Sequence, residues 1–291
     1  MRITVIVATL GRPREADDLV NDLVNQTRRP DRTVFAVVKP EDAPGRNPDI
    51  ANETLLCPRK GLCAQRNAGL DHVADTSDVI VFFDDDFVPH RTFLERVEHA
   101  FEANSEYVGI TGAVVADGIC GPGLTRQEAV EAVEVHGARQ DDGPPGETDV
   151  PGLYGCNMAM RVDALGGRRF DERLPLYGWL EDLDFTNRLL DEGRLVRLDS
   201  LIGAHRGVKA ARVSGLRLGY SQIANARYLM AKGSAPRWLM MKNLVKYPVV
   251  NATRALLPEP YIDRWGRLRG NVIGLFDLAR GRSRPERILD L

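Results

Sequence analysis

Short apolar runs alternate with helix-like segments over the first 116 residues of the chain, and this alternation restricts the fold more than any other feature. The runs are rich in Val, Ile and Phe, as expected for parallel strands that are covered on both faces. They predict strands at residues 3–8, 33–38, 78–83 and 107–116. Helical spacing of apolar residues predicts helices at residues 12–26, 62–74 and 91–103. Strands that alternate with helices imply right-handed crossovers, so we predict an α/β fold with a mostly parallel central sheet flanked by helices.

The regular alternation ends after residue 116. We interpret residues 117–152 as an active-site flap or acceptor loop, because they hold a polar run at 141–146 and only one helix-like stretch, near 126–136. The remaining predicted elements are a strand at 154–161, a helix at 183–191, a short strand at 195–198, and helices at 213–231 and 238–257. We expect Pro248 to kink or end the last helix.

The composition is that of a globular protein, since 43% of the 291 residues are hydrophobic and 27% are charged. This length suits one large domain, or one domain with an extension. The four cysteines form no CxxC pair, so we expect reduced thiols rather than a disulfide framework or a structural zinc site. No apolar stretch reaches 18 residues and the N-terminal run is too short for a signal peptide. We therefore expect a cytoplasmic protein without a membrane span.

Charge is distributed unevenly along the chain. The whole chain has a net charge of −2, but residues 206–291 contain 17 Lys/Arg and 5 Asp/Glu, so residues 1–205 are acidic. Around 237–246 of this basic segment, Trp238, Met241 and other apolar residues are interleaved with Lys242 and Lys246. The pattern fits a helix on the cytoplasmic face of an anionic membrane, and it equally fits a packed helix with a solvated basic edge. A nucleic-acid partner is not expected, since no nucleic-acid-binding motif is recognisable.

Three consecutive aspartates, Asp84, Asp85 and Asp86, follow the apolar run that predicts the third strand. In open α/β sheets, ligands bind beside the carboxyl ends of the strands. Adjacent carboxylates repel one another, and hard cations such as Mg²⁺ and Mn²⁺ take oxygen ligands and bridge diphosphate oxygens. The motif therefore indicates a divalent-cation site, the alternative being a solvated acidic turn. His205, after the strand at 195–198, is either a further metal ligand or a structural histidine.

A second acidic cluster, Glu181 and Asp182, is predicted at the start of a helix. Acidic residues at a helix N-terminus are favoured by the helix dipole alone, which is one interpretation of the cluster. The other is an acceptor site, because Trp179 precedes the cluster and Tyr154 and Asn157 lie upstream. An aromatic platform beside a carboxylate offers a sugar hydroxyl a stacking face and a general base.

The order and spacing of these motifs resemble those of the family 2 inverting glycosyltransferases of GT-A fold. The matching segments are residues 6–12, Gln26-Thr27 with Pro30, the "G…RN.G" segment at 61–69, the DXD motif at 84–86, Phe170-Asp171-Glu172, the W-x-E-D motif at 179–182, and His205. The resemblance implies a GT-A catalytic domain at 1–205, in which a Rossmann-like nucleotide-sugar-binding half (1–116) precedes an acceptor half (117–205). It leaves residues 206–291 as a basic, helical C-terminal extension.

The resemblance also implies roles for individual residues. Mn²⁺ or Mg²⁺ would be bound by Asp84, Asp86 and His205. The donor would be contacted by Thr9, Arg12, Arg66, Asn67, Asp84 and Asp85. Asp182 would be the general base and Glu181 would orient the acceptor. The acceptor would be contacted by Trp179, Tyr154 and Asn157.

The implied reaction is metal-dependent, inverting transfer of a sugar from a nucleotide diphosphate sugar to an acceptor hydroxyl. The acceptor would be a saccharide or a lipid-linked saccharide, in polysaccharide or glycolipid biosynthesis. One departure concerns the nucleotide base: relatives carry an Asp after the second strand, whereas this chain has Val38-Lys39-Pro40-Glu41-Asp42. Either Glu41 or Asp42 substitutes for it, or the base is not uracil, and UDP, dTDP and GDP sugars all remain candidate donors.

Two other functions are compatible with an α/β sheet of this kind. A sugar-phosphate nucleotidyltransferase would need a Gly-rich basic loop after the first strand, where this chain has Thr9-Leu10-Gly11-Arg12 with one Gly. A non-catalytic nucleotide-binding or membrane-binding subunit is the third candidate, because fold alone does not determine function.

Overall fold

The computed structural model describes residues 1–138, 146–209, 214–257 and 259–291, whose strands form one nine-stranded sheet. The strands are β1 (Ile3–Ala8), β2 (Arg32–Val37), β3 (Asn52–Leu56), β4 (Val79–Asp84), β5 (Phe87–Pro89), β6 (Tyr107–Asp117), β7 (Glu147–Asp149), β8 (Asn157–Arg161) and β9 (Arg194–His205). The helices are α1 (Pro13–Val24), α2 (Leu62–Val73), α3 (Phe93–Ala103), α4 (Arg126–Gly137), α5 (Val162–Leu165), α6 (Glu181–Asn187), α7 (Gly215–Lys232), α8 (Arg237–Ala255) and α9 (Arg264–Ala279).

The sheet is mostly parallel. Its order is β3-β2-β1-β4-β8-β6-β9-β5, and β7 pairs with β9 at one side. Strands β1 to β4 run in one direction, β8 is antiparallel to both β4 and β6, and β6 and β9 are parallel to each other. The predicted α/β fold with a mostly parallel sheet and flanking helices is therefore confirmed.

Side chains that alternate along the central strands form two separate cores, one on each face of the sheet. Val5 and Val81 pack with α1 and α3 on one face. Ile6 and Phe82 pack with α2 and α6 on the other. Because both faces are covered, these strands have continuous apolar sequences. Their predicted bounds therefore agree with the observed bounds within one or two residues.

Strands β3, β5 and β7 and helices α5 and α9 had no clear signal in the sequence. Strands β5 and β7 have three residues each, too few to show a period. Helix α9 carries Gly266, Gly270 and Gly274, and glycine is a poor helix former. In the fold the glycines allow close packing, because a Cβ on Gly270 would lie 2.1 Å from the carbonyl oxygen of Leu216 in α7.

Residues 117–152 differ from the predicted flap. Helix α4 has a capping box between Thr125 and Glu128, and Ala129 and Val133 are buried in a core with residues of β5 and β9. The helix is thus a packed element of the sheet edge rather than part of a flap. Of the polar run at 141–146, only residue 146 lies within the described residues.

Two other elements differ in detail from the prediction. Strand β9 extends from Arg194 to His205, because a bulge after Leu198 lets the strand resume its pairing with β6 at Ile202. Helix α8 continues through Pro248 instead of ending there. No helix of the described residues is both long enough and apolar enough to cross a membrane.

The C-terminal helices share a core with the sheet. Leu229 of α7 and Met240 of α8 belong to the same buried cluster as Phe185 of α6. Asp184 of α6 is completely buried and accepts hydrogen bonds from Ser234 and, at 2.8 Å, from Lys232. The segment 206–291 is therefore attached to the helix that begins at Glu181 by apolar packing and by an ion pair.

Replacing Asp184 by Ala should destabilise the whole protein, because Ser234 and Lys232 lose a buried carboxylate. Breaking a buried ion pair from one side costs about 3–5 kcal/mol. We expect a loss of this order in the free energy of unfolding, measured by urea denaturation. Asp191→Ala, an exposed aspartate seven residues later, is the control and should change it by less than about 0.5 kcal/mol. Equal unfolding midpoints for the two variants would contradict this role of Asp184.

Candidate active site

The carboxyl end of β4 and the end of β9 bring two carboxylates and an imidazole together. Asp84 ends β4, and β5 pairs antiparallel with β9 so that Phe87 lies opposite His205. The preceding turn therefore carries Asp86 to the imidazole. One ligand atom from each of Asp84, Asp86 and His205 lies within 4.8 Å of the others. The Nε2 of His205 is 3.5 Å from Asp86 Oδ1 and 3.9 Å from Asp84 Oδ2.

A third carboxylate orients the imidazole. Asp117, the last residue of β6, lies 3.1 Å from His205 Nδ1 and accepts a hydrogen bond of 2.9 Å from the Tyr154 hydroxyl. A carboxylate on one ring nitrogen leaves the other nitrogen available to a metal, and this arrangement is usual for metal-binding histidines. The sequence analysis did not identify Asp117, although it directly follows a predicted strand, as Asp84 does.

The carboxylates and the imidazole change one another's protonation. Burial lowers the pKa of His205, but hydrogen bonds to Asp117 and Asp86 outweigh burial and raise it to about 10. Burial raises the pKa of Asp86, but the hydrogen bond and charge of His205 keep it well below its usual range. The cluster therefore has a strong negative potential that a cation neutralises. Its carboxylate oxygens are donors that Mn²⁺ and Mg²⁺ accept in proteins, and its imidazole nitrogen is a donor for transition-metal ions.

Asp85 points into the protein rather than toward a ligand. It is 2% exposed, accepts a hydrogen bond of 2.6 Å from Thr9 and forms an ion pair of 2.8 Å with Arg12. Burial raises its pKa to about 7, although Arg12 opposes this effect. The predicted contact of Asp85 with a donor is thus replaced by a role in fixing the turn after β4 to the turn after β1.

Arg66 connects the two acidic motifs. Its guanidinium is buried, forms an ion pair with Glu181, and donates to Asp84 at 3.1 Å and to the Gly155 carbonyl oxygen at 2.8 Å. Glu181 is itself 6% exposed, and burial together with the charge of Asp182 raises its pKa to about 8. In the structure Arg66 and Glu181 pair with each other. The sequence predicted instead that Arg66 contacts the donor and that Glu181 orients the acceptor.

Asp182 is the more accessible carboxylate of its motif. The backbone N–H of Gly155 donates to its Oδ2 at 3.0 Å and the N–H of Leu183 to its Oδ1 at 2.8 Å, and the residue is only partly buried. Burial raises the pKa of this carboxyl, and the two backbone hydrogen bonds oppose the rise. Gly155 contacts Asp182 through its N–H and Arg66 through its carbonyl, so Asp84 and Asp182 belong to one site.

The loop before α6 has an unusual backbone. Leu176 and Leu180 have φ angles of +59° and +73°, a region that costs non-glycine residues about 1–2 kcal/mol each. Such strain persists only where the surroundings fix it. Here Leu176 accepts a hydrogen bond from Leu62 at 2.8 Å, and the carbonyl of Trp179 accepts one from Asn225 of α7 at 2.8 Å. The loop therefore holds the Trp179 side chain in a fixed position ahead of Asp182.

A cleft of about 250 Å³ lies at the carboxyl ends of β1 and β4. Its lining includes the predicted Thr9, Arg12 and Asp84, and two cations that the sequence analysis did not identify, Lys60 and Arg217. Lys60 directly precedes the "G…RN.G" segment, whereas Arg217 comes from α7, far away in the sequence. The arrangement offers an anionic ligand several positive charges beside the carboxylate cluster.

Three other predicted residues have structural contacts. Asn67 bonds to both the N–H and the carbonyl of Phe170 and to Glu172, so it holds that segment rather than facing the cleft. Asn157 is 1% exposed and accepts hydrogen bonds from Thr111 and from the N–H of Gly112 inside the sheet. Tyr154, predicted beside an acceptor, is bonded to Asp117 as described above.

Comparisons with known proteins found one matching family model and several solved structures of similar fold. Residues 49–167 match the model of the family described as Glycosyl transferase family 2. The fold is similar to that of a mannosyltransferase, PcManGT from Pyrobaculum calidifontis, solved with GDP-Man and Mn²⁺. The TM-score is 0.54 and the identity 16%, over 95% of this chain and 87% of that one. No curated protein sequence matches significantly.

S. aureus TarS has a similar fold. The TM-score is 0.53 and the identity 15%, over 88% of this chain and 44% of TarS, so the chain spans less than half of that protein. A shorter form of TarS, residues 1–349 in complex with UDP-GlcNAc, has a TM-score of 0.52 and an identity of 13%, over 88% of this chain and 73% of that one. At these identities the likeness concerns the fold alone.

Replacing Asp117 by Asn should weaken metal binding without removing a metal ligand. Loss of a carboxylate that orients a metal-binding histidine lowers metal affinity about 10–100-fold. We expect a change of this size in the Kd for Mn²⁺, measured by isothermal titration calorimetry. Asp75→Asn, at an exposed site away from the cluster, should leave the Kd unchanged. If both variants bind Mn²⁺ as the parent protein does, Asp117 does not orient His205 for a metal.

Proposed function

We propose that the chain is a family 2 glycosyltransferase of GT-A fold, and that it is a metal-dependent, inverting enzyme that transfers a sugar from a nucleotide diphosphate sugar to an acceptor hydroxyl. The observation that carries this proposal is the single site that contains the Asp84–Asp86–His205 cluster and Asp182, connected through Arg66 and Gly155. The acceptor is a saccharide or a lipid-linked saccharide.

The proposed ligands of Mn²⁺ or Mg²⁺ are Asp84, Asp86 and His205. This assignment is supported by the closeness of their ligand atoms and by the carboxylate on the second nitrogen of His205. When bound, such a cation acts as a Lewis acid that offsets charge developing on a diphosphate leaving group.

The proposed donor site is the cleft at the ends of β1 and β4. Lys60 and Arg217 line it together with Arg12, which is paired with Asp85, and these two cations, rather than the buried Arg66, can approach a diphosphate. Of Glu41 and Asp42, Asp42 is the better candidate for a contact with the nucleotide base. It lies beside the turn after β1, where its Oδ1 accepts a hydrogen bond of 2.8 Å from the N–H of Gly11. Its other oxygen is buried and without a partner among the described residues. The bases of UDP, dTDP and GDP each have a ring N–H that can donate a hydrogen bond to this oxygen.

The proposed base is Asp182. The acceptor oxygen forms a bond to the anomeric carbon while the bond from that carbon to the diphosphate oxygen breaks. The acceptor proton passes to an oxygen of Asp182, and the nucleoside diphosphate leaves with the bonding electron pair. Displacement from the side opposite the leaving group inverts the anomeric configuration. Trp179, held in front of Asp182 by its strained loop, is the proposed stacking face for the acceptor.

We also propose that the extension contacts an anionic membrane surface. Helix α8 exposes Trp238, Met241, Val245 and Val249, each 52–65% exposed and spaced as one row along the helix. A second exposed group on α9 consists of Trp265, Val272, Leu275 and Phe276. Helix α8 has four Lys/Arg and no Asp/Glu. Exposed tryptophans with flanking cations are typical of helices that lie in a bilayer interface.

Asp182→Asn should nearly abolish turnover while leaving donor binding intact, because a general base contributes about 10²–10⁴-fold to the rate. The measurement is Mn²⁺-dependent release of nucleoside diphosphate from a panel of UDP-, dTDP- and GDP-sugars, with water as the acceptor. Thermal stabilisation by the nucleoside diphosphate checks binding. Asp191→Asn is the control. An unchanged rate in Asp182→Asn would exclude this base, and no release from any donor by the parent protein would exclude the transferase.

Vesicle binding tests the membrane contact. At low salt the protein should co-sediment with vesicles of phosphatidylglycerol and phosphatidylcholine but not with phosphatidylcholine alone. Each basic residue near an anionic surface contributes about 1 kcal/mol, so Lys242→Glu should lower the partition coefficient about fivefold or more. Lys39→Glu, which changes the charge equally on a loop of the sheet domain, should not lower it. The proposed membrane contact is wrong if the protein does not bind anionic vesicles, or if a second copy of the chain covers this face in a dimer.

A further inference from the structure

A second cavity, of about 380 Å³, lies between the C-terminal helices and the loop before α6. Residues of α7, α8 and α9 line it together with Tyr177 and Trp179 of the loop. We propose that this cavity binds the phosphate group and the first carbons of a lipid phosphate, as the anchor of a lipid-linked acceptor. This inference rests on the proposed function, and it selects the lipid-linked saccharide over a free saccharide as the acceptor.

The polar part of the cavity is cationic. Its lining contains Lys246, Arg254, Arg264 and Arg267, and it contains no carboxylate among the described residues. Glu259 binds Arg254 at 2.8 Å and also binds Arg264, so it offsets about one of these four charges. The ring N–H of Trp179 is buried there without an acceptor among the described residues. A neutral sugar forms no ion pairs with these cations, whereas a phosphate accepts charge-assisted hydrogen bonds from lysine and arginine side chains.

The remaining wall of the cavity is apolar. Leu218 of α7, Val250 of α8 and Ile262, after α8, lie beside Tyr247, whose ring meets that of Trp179 edge-to-face at 5.6 Å. A site that combines apolar side chains with several cations fits an anion that carries a hydrocarbon chain. Inorganic phosphate would leave these apolar side chains without a partner.

The cavity opens toward the surface that we propose to contact the membrane. On α8, Lys246 and Val250 line the cavity, and their neighbours Val245 and Val249 are 62% and 55% exposed in the outer apolar row. Successive residues of a helix lie about 100° apart, so the cavity wall and the outer row occupy adjoining faces of α8. A hydrocarbon chain leaving the cavity can therefore pass along α8 into a bilayer.

The same cavity adjoins the catalytic site. Tyr177 lines both this cavity and the donor cleft, and Trp179 lies three residues before Asp182. A phosphate held in the cavity would present the saccharide attached to it beside the proposed base. The reacting hydroxyl belongs to that saccharide, and the phosphate serves only as its anchor.

Titration calorimetry with soluble probes tests the inference in the absence of a membrane. The probes are farnesyl phosphate and dihexanoyl phosphatidic acid, each below its micellar concentration, with farnesol, inorganic phosphate and UDP as comparisons. We expect at least one of the two lipid phosphates to bind at least tenfold more tightly than farnesol and inorganic phosphate. The two lipid probes distinguish an isoprenoid anchor from a glycerolipid anchor.

Two variants locate the binding in this cavity. Lys246→Glu should weaken binding of the lipid phosphate at least about tenfold, since a charge-assisted hydrogen bond contributes about 1.5–3 kcal/mol. Lys39→Glu, the same exchange at an exposed lysine that does not line the cavity, should not change it. Val250→Trp, which fills the cavity without changing its charge, should weaken binding as well.

Three results would overturn the inference: neither lipid phosphate binds, Lys246→Glu and Lys39→Glu behave alike, or UDP binds in a manner that Val250→Trp abolishes. The last result would make the cavity a nucleotide site. Release of nucleoside diphosphate from a nucleotide sugar by the parent protein is measured separately. If release occurs and the lipid phosphates do not bind, the transferase stands and only the lipid anchor fails. If release never occurs, the transferase itself fails.

Discussion

The buried guanidinium of Arg66 is the interaction on which the geometry of the site depends. Removing such a cation from water costs several kcal/mol, and the cost is offset only if its hydrogen bonds are satisfied. Asp84, Glu181 and the carbonyl of Gly155 satisfy them, and the rings of Phe82 and Phe170 lie 5.5 Å and 5.4 Å from the guanidinium carbon. Because these groups come from separate parts of the chain, one charge holds the end of β4 at a fixed distance from the start of α6.

The sequence predicted the parts of the site whose signal is local. The aspartates after β4 and the acidic pair at the start of α6 were found because each directly adjoins a recognisable element. Asp117 was not, because it is a single acid after its strand and meets His205 only through the topology of the sheet, and Arg217 was not, because it comes from a helix outside the motifs. Fold class and the long central elements were predicted correctly for the same reason: their periodicity is complete within ten to fifteen residues.

Residue roles were harder to predict than residue positions. Burial turns the polar groups of Arg66, Asn67 and Glu181 toward other residues or toward the backbone, where a motif alone suggests ligand contacts. A buried polar group must be paired within the protein, so the most buried members of a motif position the others. Asp84 and Asp182 retain some exposure and can therefore meet a ligand directly.

The C-terminal helices also position residues near the site through buried polar contacts. Composition separates residues 206–291 from the acidic part of the chain, yet Asn225 fixes the carbonyl of Trp179 and Lys232 is paired with the buried Asp184. Since both contacts reach the loop and the helix that carry Asp182, any force on α7 to α9 acts on the proposed base as well. A lipid surface in contact with α8 and α9 would therefore affect the position of the proposed base through two hydrogen-bonded contacts. This argues that the basic segment forms part of the acceptor site and is not a separable anchor.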